Sequence, residues 1–322
     1  DEYLGNAMEL DVDAVCDGKE VLIGAIMEHL EEAGIHSGDS TCFIPPQNVS
    51  DKILEEVEVW TKRIGLELGI KGCYNIQFAI REEVLYVLEV NPRGSRTFPF
   101  VAKATGVPLA RIAAMVALGE RLSDLKIPAP QTDAVCVKAP VFPFIKLRGL
   151  DPAPGPEMKS TGEVMGSHER ASAAYLKARL ATESPVPTEG GVYITVKDRD
   201  KDAIIVQAKK LIDLGFKIYA TSGTASVLRD KGGLVVETCY RITEGMTPDA
   251  LDLMRQGKIH LIINTPRNTG GAVLDGNMMR RLAVELNIPF VTTMAGGKME
   301  VLAIEEAMNG IPEPRLLNIG SL

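Results

Sequence analysis

Side chains that could bind a metal ion occur in two neighbouring segments of the sequence. Residues 74–80 and 84–90 each alternate apolar and polar positions, which predicts a β-hairpin. In that hairpin Gln77 would lie close to Glu89 and share a sheet face with Asn91. One carboxylate and two amide oxygens suit Mg²⁺ whose coordination is completed by water and nucleotide phosphates. The alternative is that these side chains form only the solvated face of a sheet.

Two arginines follow this strand directly. Arg93 and Arg96 stand three residues apart in the run Asn-Pro-Arg-Gly-Ser-Arg. Guanidinium groups bind planar or phosphorylated anions through paired hydrogen bonds. The sequence therefore predicts an anion site beside the metal site.

A second group of candidate residues lies upstream. The loop 34–39 reads Gly-Ile-His-Ser-Gly-Asp and offers backbone N–H groups, an imidazole and hydroxyls to an anionic ligand. An ordinary loop histidine is the alternative for His36. Glu9, Asp11 and Asp13 alternate along one strand, and the two aspartates could be merely solvated.

The second half of the chain contains a further anion-binding pattern. Thr221-Ser-Gly-Thr224 stands where a predicted strand meets a helix. Hydroxyls and free backbone N–H groups at a helix N-terminus bind anions, and Gly223 allows close approach. A simple capping role for either threonine is the alternative.

The elements that position the first group are two hairpins and two helices. Asp17-Gly18 is a turn signal between strands within residues 8–27. A helix is predicted over 50–69, with Ser50 as its N-cap, and another over 108–122. Residues 127–157 are dense in proline and glycine, which predicts little regular structure.

From Gly191 onward strands and helices alternate regularly, which predicts a parallel sheet covered on both faces. The predicted strands are 192–196, 216–220, 234–237, 259–264 and 289–292, and the predicted helices are 201–214, 224–230, 248–255, 278–286 and 300–308. The fold class is therefore α/β together with α+β.

Composition narrows the function. With 45% hydrophobic and 24% charged residues, the chain reads as a globular protein. A net charge of −8 argues against a nucleic-acid-binding protein. The first residues lack a basic and then apolar pattern and no long apolar run follows, so we expect neither a signal peptide nor a membrane span. Five dispersed cysteines without CxxC spacing predict reduced thiols and a cytoplasmic location.

The motifs resemble one enzyme family. Gln77 together with the run Glu-Val-Asn-Pro-Arg-Gly-Ser-Arg over 89–96 resembles the metal strand of ATP-grasp enzymes. The run by itself would also fit biotin-carboxylase-like enzymes. Residues 155–166, Gly-Pro-Glu-Met-Lys-Ser-Thr-Gly-Glu-Val-Met-Gly, narrow the resemblance to the carbamoyl-phosphate synthetase large subunit, and that resemblance runs over essentially the whole chain.

The resemblance implies three regions. Residues 1–125 would be the C-terminal part of an ATP-grasp domain, 126–187 a connecting segment, and 188–322 a methylglyoxal-synthase-like allosteric domain. The segment looks like the half of the subunit that phosphorylates carbamate with ATP. A Gly-rich flap would precede Asp1 in a longer chain, so the segment alone is expected to be inactive.

The resemblance also assigns roles to residues of the first region. Gln77 and Glu89 would hold metal and nucleotide, Asn91 would bind the metal, and Arg93 and Arg96 would face carbamate and the phosphoryl group. The remaining nucleotide contacts implied are Leu4 at adenine, Glu9 at the ribose, and Gly34, Ile35, His36 and Ser37 along the nucleotide. The implied cofactors are ATP and Mg²⁺ or Mn²⁺, with K⁺ as a further candidate.

In the last region the resemblance implies an effector site for UMP or IMP. Its residues would be Lys201, Thr221, Thr224, Arg241 and Asn264. Methylglyoxal synthase activity itself is excluded, because that chemistry needs a carboxylate base where this chain has Asn264-Thr265-Pro266. Pro266 also departs from the best-known effector-binding pattern.

The implied partners are the missing N-terminal part of the chain, a glutaminase small subunit and, as a further candidate, copies of the chain itself. For ornithine regulation Glu31, Asp39 and Thr292 match the family, but Ala139 replaces a carboxylate. Two other hypotheses are a different ATP-grasp ligase and a free-standing nucleotide-binding regulator.

Overall fold

The structure is a computed structural model that describes residues 4–5, 7–130, 133–144, 151–182, 184–265 and 271–310, with the side chains of 271 and 272 left out. The described residues divide into two units. The first contains those of 1–141 and 155–178, and the second those of 142–154 and 179–312.

The first unit is built on a seven-stranded sheet in the order β5-β4-β1-β2-β3-β6-β7, with every neighbouring pair antiparallel. The strands are β1 Met8–Asp17, β2 Val21–Glu32, β3 Cys42–Ile44, β4 Lys71–Arg81, β5 Val84–Asn91, β6 Val135–Val141 and β7 Gly162–His168. The helices are α1 Asp51–Glu67, α2 Phe98–Thr105, α3 Leu109–Ala117 and α4 Ala171–Ala181, of which α4 ends in the second unit.

Alternation along β1 gives the sheet two different faces. Leu10 and Val12 pack with Ile53 of α1 on one face. Asp11 and Asp13 point to the other face, because successive side chains of a strand alternate. That second face is covered at one end by α2 and α3, whose apolar side chains pack against Met27 and Val15 in β2 and β1. The uncovered polar part of this face carries the candidate residues.

Both predicted hairpins of the first unit are present. Glu82 and Glu83 form the second turn with φ of 53° and 58°, in the left-handed region that two-residue hairpin turns require. Ser50 stands at the N-cap of α1, but its hydroxyl donates to Glu83 Oε2 at 2.9 Å and makes no capping bond. The predicted N-cap position is therefore right, and the expected capping bond is replaced by a tie to the hairpin turn.

The structure differs from the sequence prediction at several elements of the first unit. The helix predicted over 108–122 ends at Ala117, and α2 and α4 had no predicted counterpart. Residues 126–187, expected to connect two domains, contribute β6 and β7 to the sheet. Strand β6 receives its hydrogen-bonding partners from β3 and β7, which are distant in sequence, so proline and glycine nearby did not prevent it.

The second unit contains a five-stranded sheet that is parallel throughout, as predicted. Its strand order is β10-β9-β8-β11-β12. Its strands are β8 Gly191–Thr195, β9 Lys217–Thr221, β10 Glu237–Cys239, β11 Leu261–Asn264 and β12 Phe290–Val291. Its helices are α5 Lys201–Asp213, α6 Ser222–Asp230, α7 Ala250–Arg255, α8 Gly271–Glu285 and α9 Met294–Met308.

Helix α9 begins six residues before the predicted start at Glu300. Thr293 caps it by accepting a hydrogen bond from Gly296 N at 3.0 Å. Gly296 and Gly297 disfavour a helix by their backbone entropy, which explains why the predicted helix begins only at Glu300. Both glycines are buried, and a Cβ at Gly297 would lie 3.3 Å from Ile263 of the sheet, so close packing compensates.

All five cysteines lie in the described residues, and each is a free thiol. Within the described ranges, no helix by itself has the length and hydropathy needed to cross a bilayer. Helices α2 and α3 reach those values only when taken together, as a pair bent by 116°.

The packing of β7 on α4 provides a test of the first unit. A Cβ at Gly166 would overlap the Ala174 carbonyl oxygen and lie 2.5 Å from the Ala178 nitrogen, both helix backbone atoms. We expect Gly166→Ala to lower the free energy of unfolding by about 1–3 kcal/mol or more, because the backbone cannot move aside cheaply. The measurement is the urea-unfolding midpoint of the 322-residue chain.

Gly162→Ala in the same strand is the matched control. A Cβ there has ordinary contact, 3.9 Å from Val141 Cβ, so its unfolding midpoint should stay near that of the parent chain. Equal midpoints for the two variants would show that β7 does not pack on α4 as described.

Candidate functional site

Two rows of polar side chains cross the open face of the first sheet. The antiparallel registers place Gln77 opposite both Glu89 and Asp11, and Asn75 opposite both Asn91 and Asp13. A register irregularity between Gln77 and Phe78 leaves these pairs intact. One row is Glu89, Gln77 and Asp11, and the second is Asn91, Asn75 and Asp13. The predicted proximity of Gln77 and Glu89 is confirmed.

The outer end of these rows can hold a metal ion. Asn91 Nδ2 donates a hydrogen bond to Glu89 Oε1 at 2.7 Å. The amide oxygen of Asn91 and the second carboxylate oxygen of Glu89 remain as possible metal ligands. Glu89 is exposed, and Gln77 and Asn91 are half-buried. Hard oxygen donors with one charge fit Mg²⁺ or a similar ion that keeps water and phosphate ligands. The described residues contain no cluster of three His, Cys, Asp or Glu side chains of metal-binding geometry.

The inner end of the rows is buried and already hydrogen-bonded. Asn75 Nδ2 donates to Asp11 Oδ1 and to Asp13 Oδ1, both at 3.0 Å, and Thr97 donates to Asp13 Oδ2 at 2.7 Å. Both aspartates are 0% exposed, so the solvated alternative for them is wrong. Burial, and then the charge of Asp11, raise the pKa of Asp13 to about 6, against the hydrogen bonds that lower it.

A buried histidine links two of the acidic residues. His29 of β2 lies 3.6 Å from Glu9 Oε1 through Nδ1 and 3.5 Å from Asp11 Oδ2 through Nε2. Burial would lower the pKa of His29, but Cys42 and the two carboxylates raise it well above its ordinary value. Both ring nitrogens of His29 therefore face buried carboxylates, whose negative charge a protonated ring would compensate. Sequence reasoning missed His29, although a histidine within a buried strand next to an acidic strand was an available signal.

The predicted loop is connected to this face through Glu9. Glu9 Oε2 accepts a hydrogen bond from Gly34 N at 3.0 Å, and burial raises the pKa of this carboxyl. His36 is half-buried, and its ring Nδ1 accepts a hydrogen bond from Gly38 N at 3.1 Å. The backbone N–H of His36 donates to the Gly155 carbonyl at 2.9 Å. The imidazole thus shapes the loop, and its Nε2 is the ring nitrogen that remains for a ligand.

The other predicted loop residues occupy different settings. Ser37 is buried, and its carbonyl accepts from Lys138 Nζ at 2.9 Å. Ile35 is half-buried. Leu4 is also half-buried and lies four residues before β1, and its predicted contact with adenine stays a prediction.

Arg93 and Arg96 are both exposed beyond the end of β5. Arg93 Nη1 donates to the Gly94 carbonyl at 3.1 Å. Arg96 lies near Glu163 of β7: burial raises the pKa of that carboxyl, while Lys138, Lys103 and Arg96 lower it. Sequence reasoning did not identify Glu163, which a seventh strand brings to this group of cations.

Glu31 and Asp39, which match the family's ornithine site, accept hydrogen bonds from backbone N–H groups. Glu31 accepts from Thr41 N at 2.7 Å, and burial raises its pKa to about 6. Asp39 accepts from Lys159 N at 2.8 Å and from Ser160 N at 2.9 Å. These bonds hold the loop and the segment after Gly155, a structural role that needs no ligand.

A separate cleft lies in the second unit. All five predicted effector residues line this cleft: Lys201, Thr221, Thr224, Arg241 and Asn264. It forms where β8, β9 and β11 end, at the carboxyl edge of the parallel sheet, which is the usual ligand position in such sheets.

One wall of the cleft is the N-terminus of α6. Thr221 is the N-cap of this helix, but its side chain makes no capping hydrogen bond. A Cβ at Gly223 would lie 3.2 Å from Lys201 Nζ, so the ammonium group lies directly against the start of the helix. Orphan N–H groups and an ammonium group together attract phosphate.

Acidic and amide groups complete the cleft. Lys201 Nζ pairs with Asp198 Oδ1 at 2.7 Å, and Asp275 accepts from Thr243 N at 2.9 Å. Asn264 accepts from Arg280 Nη1 at 2.9 Å. Asp275 was not identified from the sequence, because α8 begins before its predicted start. Arg280 lies within the predicted helix but was not identified either, because its partner Asn264 is on a different element.

Comparison with protein-family models gives two matches. Residues 1–125 match the carbamoyl-phosphate synthase L chain ATP binding domain, and residues 203–292 match the MGS-like domain. Among solved structures, the biotin carboxylase domain of a single-chain bacterial carboxylase is similar at 14% identity and a TM-score of 0.45, over 57% of this chain and 48% of that one. Likeness at that level carries no functional argument.

Similar sequences cover nearly the whole chain. The carbamoyl phosphate synthase large chain, C-terminal section, of Methanocaldococcus jannaschii is 48% identical over 96% of this chain and 52% of its own length. The carbamoyl phosphate synthase large chain of Methanothermobacter thermautotrophicus is 48% identical over 96% of this chain and 29% of its own length. The chain thus spans about half or less of these relatives. The two domains in this order, with such identity throughout, show that the chain belongs to the carbamoyl phosphate synthase large chain family and corresponds to its C-terminal part.

Proposed function

We propose that this chain supplies the metal- and nucleotide-binding side of a ligase site that phosphorylates carbamate with ATP to give carbamoyl phosphate. The observation that carries the proposal is the pairing of Gln77 with Glu89 beside Asn91 on the open face of the sheet. Glu9 connects the same face to the loop at Gly34, so one surface offers both metal and nucleotide contacts.

The residues of this face have distinct roles in the proposal. Glu89, Gln77 and Asn91 would hold Mg²⁺, which neutralises charge on the transferred phosphoryl group. Arg93 and Arg96 would orient carbamate and stabilise the developing charge on oxygen. Glu9 would accept hydrogen bonds from the ribose hydroxyls while it continues to hold Gly34. Asp11, Asp13 and His29 would stay behind this layer and keep the strands in register.

The proposal includes partners beyond this chain. The relatives carry a longer chain, so the phosphate-gripping flap would come from that additional part. We further propose that a glutaminase small subunit provides the ammonia. The names of the relatives support a carbamoyl phosphate synthase. Glutamine as the nitrogen donor is our proposal.

We also propose that the cleft of the second unit binds a nucleotide effector, with UMP slightly ahead of IMP. The phosphate would lie at the start of α6 against Lys201, with Arg241 and Asn264 as further donors. We expect modest affinity, because position 266 is a proline and therefore has no hydroxyl to offer the effector.

Glu89→Gln tests the ligase site in the enzyme completed by the rest of the large chain. We expect the transfer of phosphate between carbamoyl phosphate and ADP to fall at least about 100-fold, because the only charged donor of the metal site is lost. ATP formed from carbamoyl phosphate, ADP and Mg²⁺ is the measurement.

Glu82→Gln in the turn of the same hairpin is the control, since Glu82 is exposed and pairs only loosely with Arg81 at 3.8 Å. Its rate should match that of the parent enzyme. A parental rate for Glu89→Gln as well would place Glu89 on a merely solvated face and reject the site.

Thr224→Ala combined with Lys201→Ala tests the effector site. We expect UMP binding to the 322-residue chain to weaken by roughly a hundredfold, because charge-assisted phosphate contacts are lost. Titration calorimetry with UMP and with IMP is the measurement.

Ser226→Ala combined with Lys231→Ala is the matched control, because these residues bond Asp230 and Asp202 and do not line the cleft. If neither nucleotide binds the parent chain at millimolar concentration, the effector proposal fails. If both variants bind like the parent, the phosphate lies elsewhere.

A further inference from the structure

A buried arginine connects the cleft of the second unit to an aspartate outside its lining. Arg280 of α8 is 3% exposed and donates from Nη1 to Asn264 Oδ1 at 2.9 Å. It donates from Nε to Asp151 Oδ1 at 3.0 Å and from Nη2 to Asp151 Oδ2 at 2.8 Å. Asn264 lines the cleft, whereas Arg280 and Asp151 do not.

The arginine decides which atom of the Asn264 amide faces it. A guanidinium group has only donors, so the atom it meets must be the amide oxygen. The amide nitrogen is then on the opposite side, where it donates to the Thr195 carbonyl at 3.4 Å. That bond uses one N–H of Asn264, and since Asn264 and Thr195 both line the cleft, the second N–H is the one available to a ligand there.

The aspartate decides where the guanidinium points. Two parallel hydrogen bonds to one carboxylate fix the plane of the guanidinium group, and its remaining nitrogen must then point at Asn264. Asn277, one turn before Arg280 on α8, also donates to Asp151 Oδ2, at 3.1 Å. The position of Asp151 is therefore set from two places on one helix.

A glycine makes room for this arrangement. Gly276 lines the cleft, and a Cβ there would lie 2.7 Å from Arg280 Nη1. Any side chain at this position would push the guanidinium group away from Asn264, so a small residue here is a condition for the contact.

We propose that Asp151 and Arg280 are positioning residues that orient Asn264 as a hydrogen-bond donor to the phosphate of a nucleotide bound in the cleft. The proposal rests on the proposed effector function of this cleft. Without the arginine the amide can rotate, and its oxygen would then repel a phosphate. The phosphate class of ligand follows from the direction of the amide, since a cationic ligand would need the oxygen.

Binding of UMP to the 322-residue chain, measured by titration calorimetry, tests the proposal. We expect Asp151→Asn to raise Kd about three- to tenfold, and Arg280→Lys and Gly276→Ala to raise it by at least as much, since one oriented hydrogen bond is weakened. Asp202→Asn, which removes the exposed ion pair with Lys231, is the matched control and should bind like the parent.

A double-mutant cycle separates positioning from a general structural role. Arg280→Lys should have less than about a twofold effect when Asn264→Ala is already present, because the residue through which it acts is gone. An undiminished effect in that background would overturn the proposal, since Arg280 would then act by another route.

The orientation of Asn264 can also be followed without a ligand. In the free chain, Asp151→Asn and Arg280→Lys should shift the side-chain N–H₂ resonances of Asn264, while Asp202→Asn should not. Unshifted resonances would contradict the proposal even if UMP binds. If UMP and IMP both fail to bind the parent chain, the effector function fails, and these resonances still decide whether the arginine orients the amide.

Discussion

One side-chain amide holds together the polar face on which the first unit depends. Asn75 donates both of its N–H bonds, one to Asp11 and one to Asp13, which stand two residues apart on the neighbouring strand. Two buried carboxylates so close would repel each other and lose their hydration, and each must therefore find a donor. Because the donor is on β4 and the acceptors on β1, these bonds fix the register that places Gln77 opposite Asp11.

From this buried end the face becomes more open toward β5. Asp13 is fully satisfied by Asn75 and Thr97, and His29 compensates Asp11 and Glu9. Farther out, Glu89 is exposed and has one oxygen engaged by Asn91. The inner groups are thus committed to the fold, and the outer ones retain the donor capacity that a metal ion or a nucleotide needs.

In the second unit the candidate ligand-binding groups are cations and a helix terminus. The start of α6, whose first N–H groups have no partner within the helix, lies beside Lys201, and Arg280 bonds the amide oxygen of Asn264 next to the same cleft. In each unit the groups proposed to face a ligand are oriented by residues one layer behind them. In each unit, too, these supporting residues come from parts of the chain remote in sequence, as Thr97 does for Asp13 and Asp151 for Arg280.

By itself the sequence determined the elements whose hydrogen bonds are local or whose periodicity is strong. The two hairpins, α1, and the alternating strands and helices after Gly191 all follow from alternation, turn residues and helical spacing. The same patterns placed Gln77 opposite Glu89, because a hairpin's register follows from its turn. The five cleft residues of the second unit came from the family resemblance carried by particular motifs, and they do line one cleft.

The remaining features depend on contacts between distant parts of the chain. Strand β6 exists because β3 and β7 pair with it, and α9 starts early because close packing offsets its glycines. The burial of Asp11 and Asp13 and the roles of His29 and Arg280 depend on partners 16 to 129 residues away. A sequence shows which groups are polar, but whether a polar group is solvated or buried depends on what the fold packs over it. That is settled by long-range contacts, which local propensity does not encode.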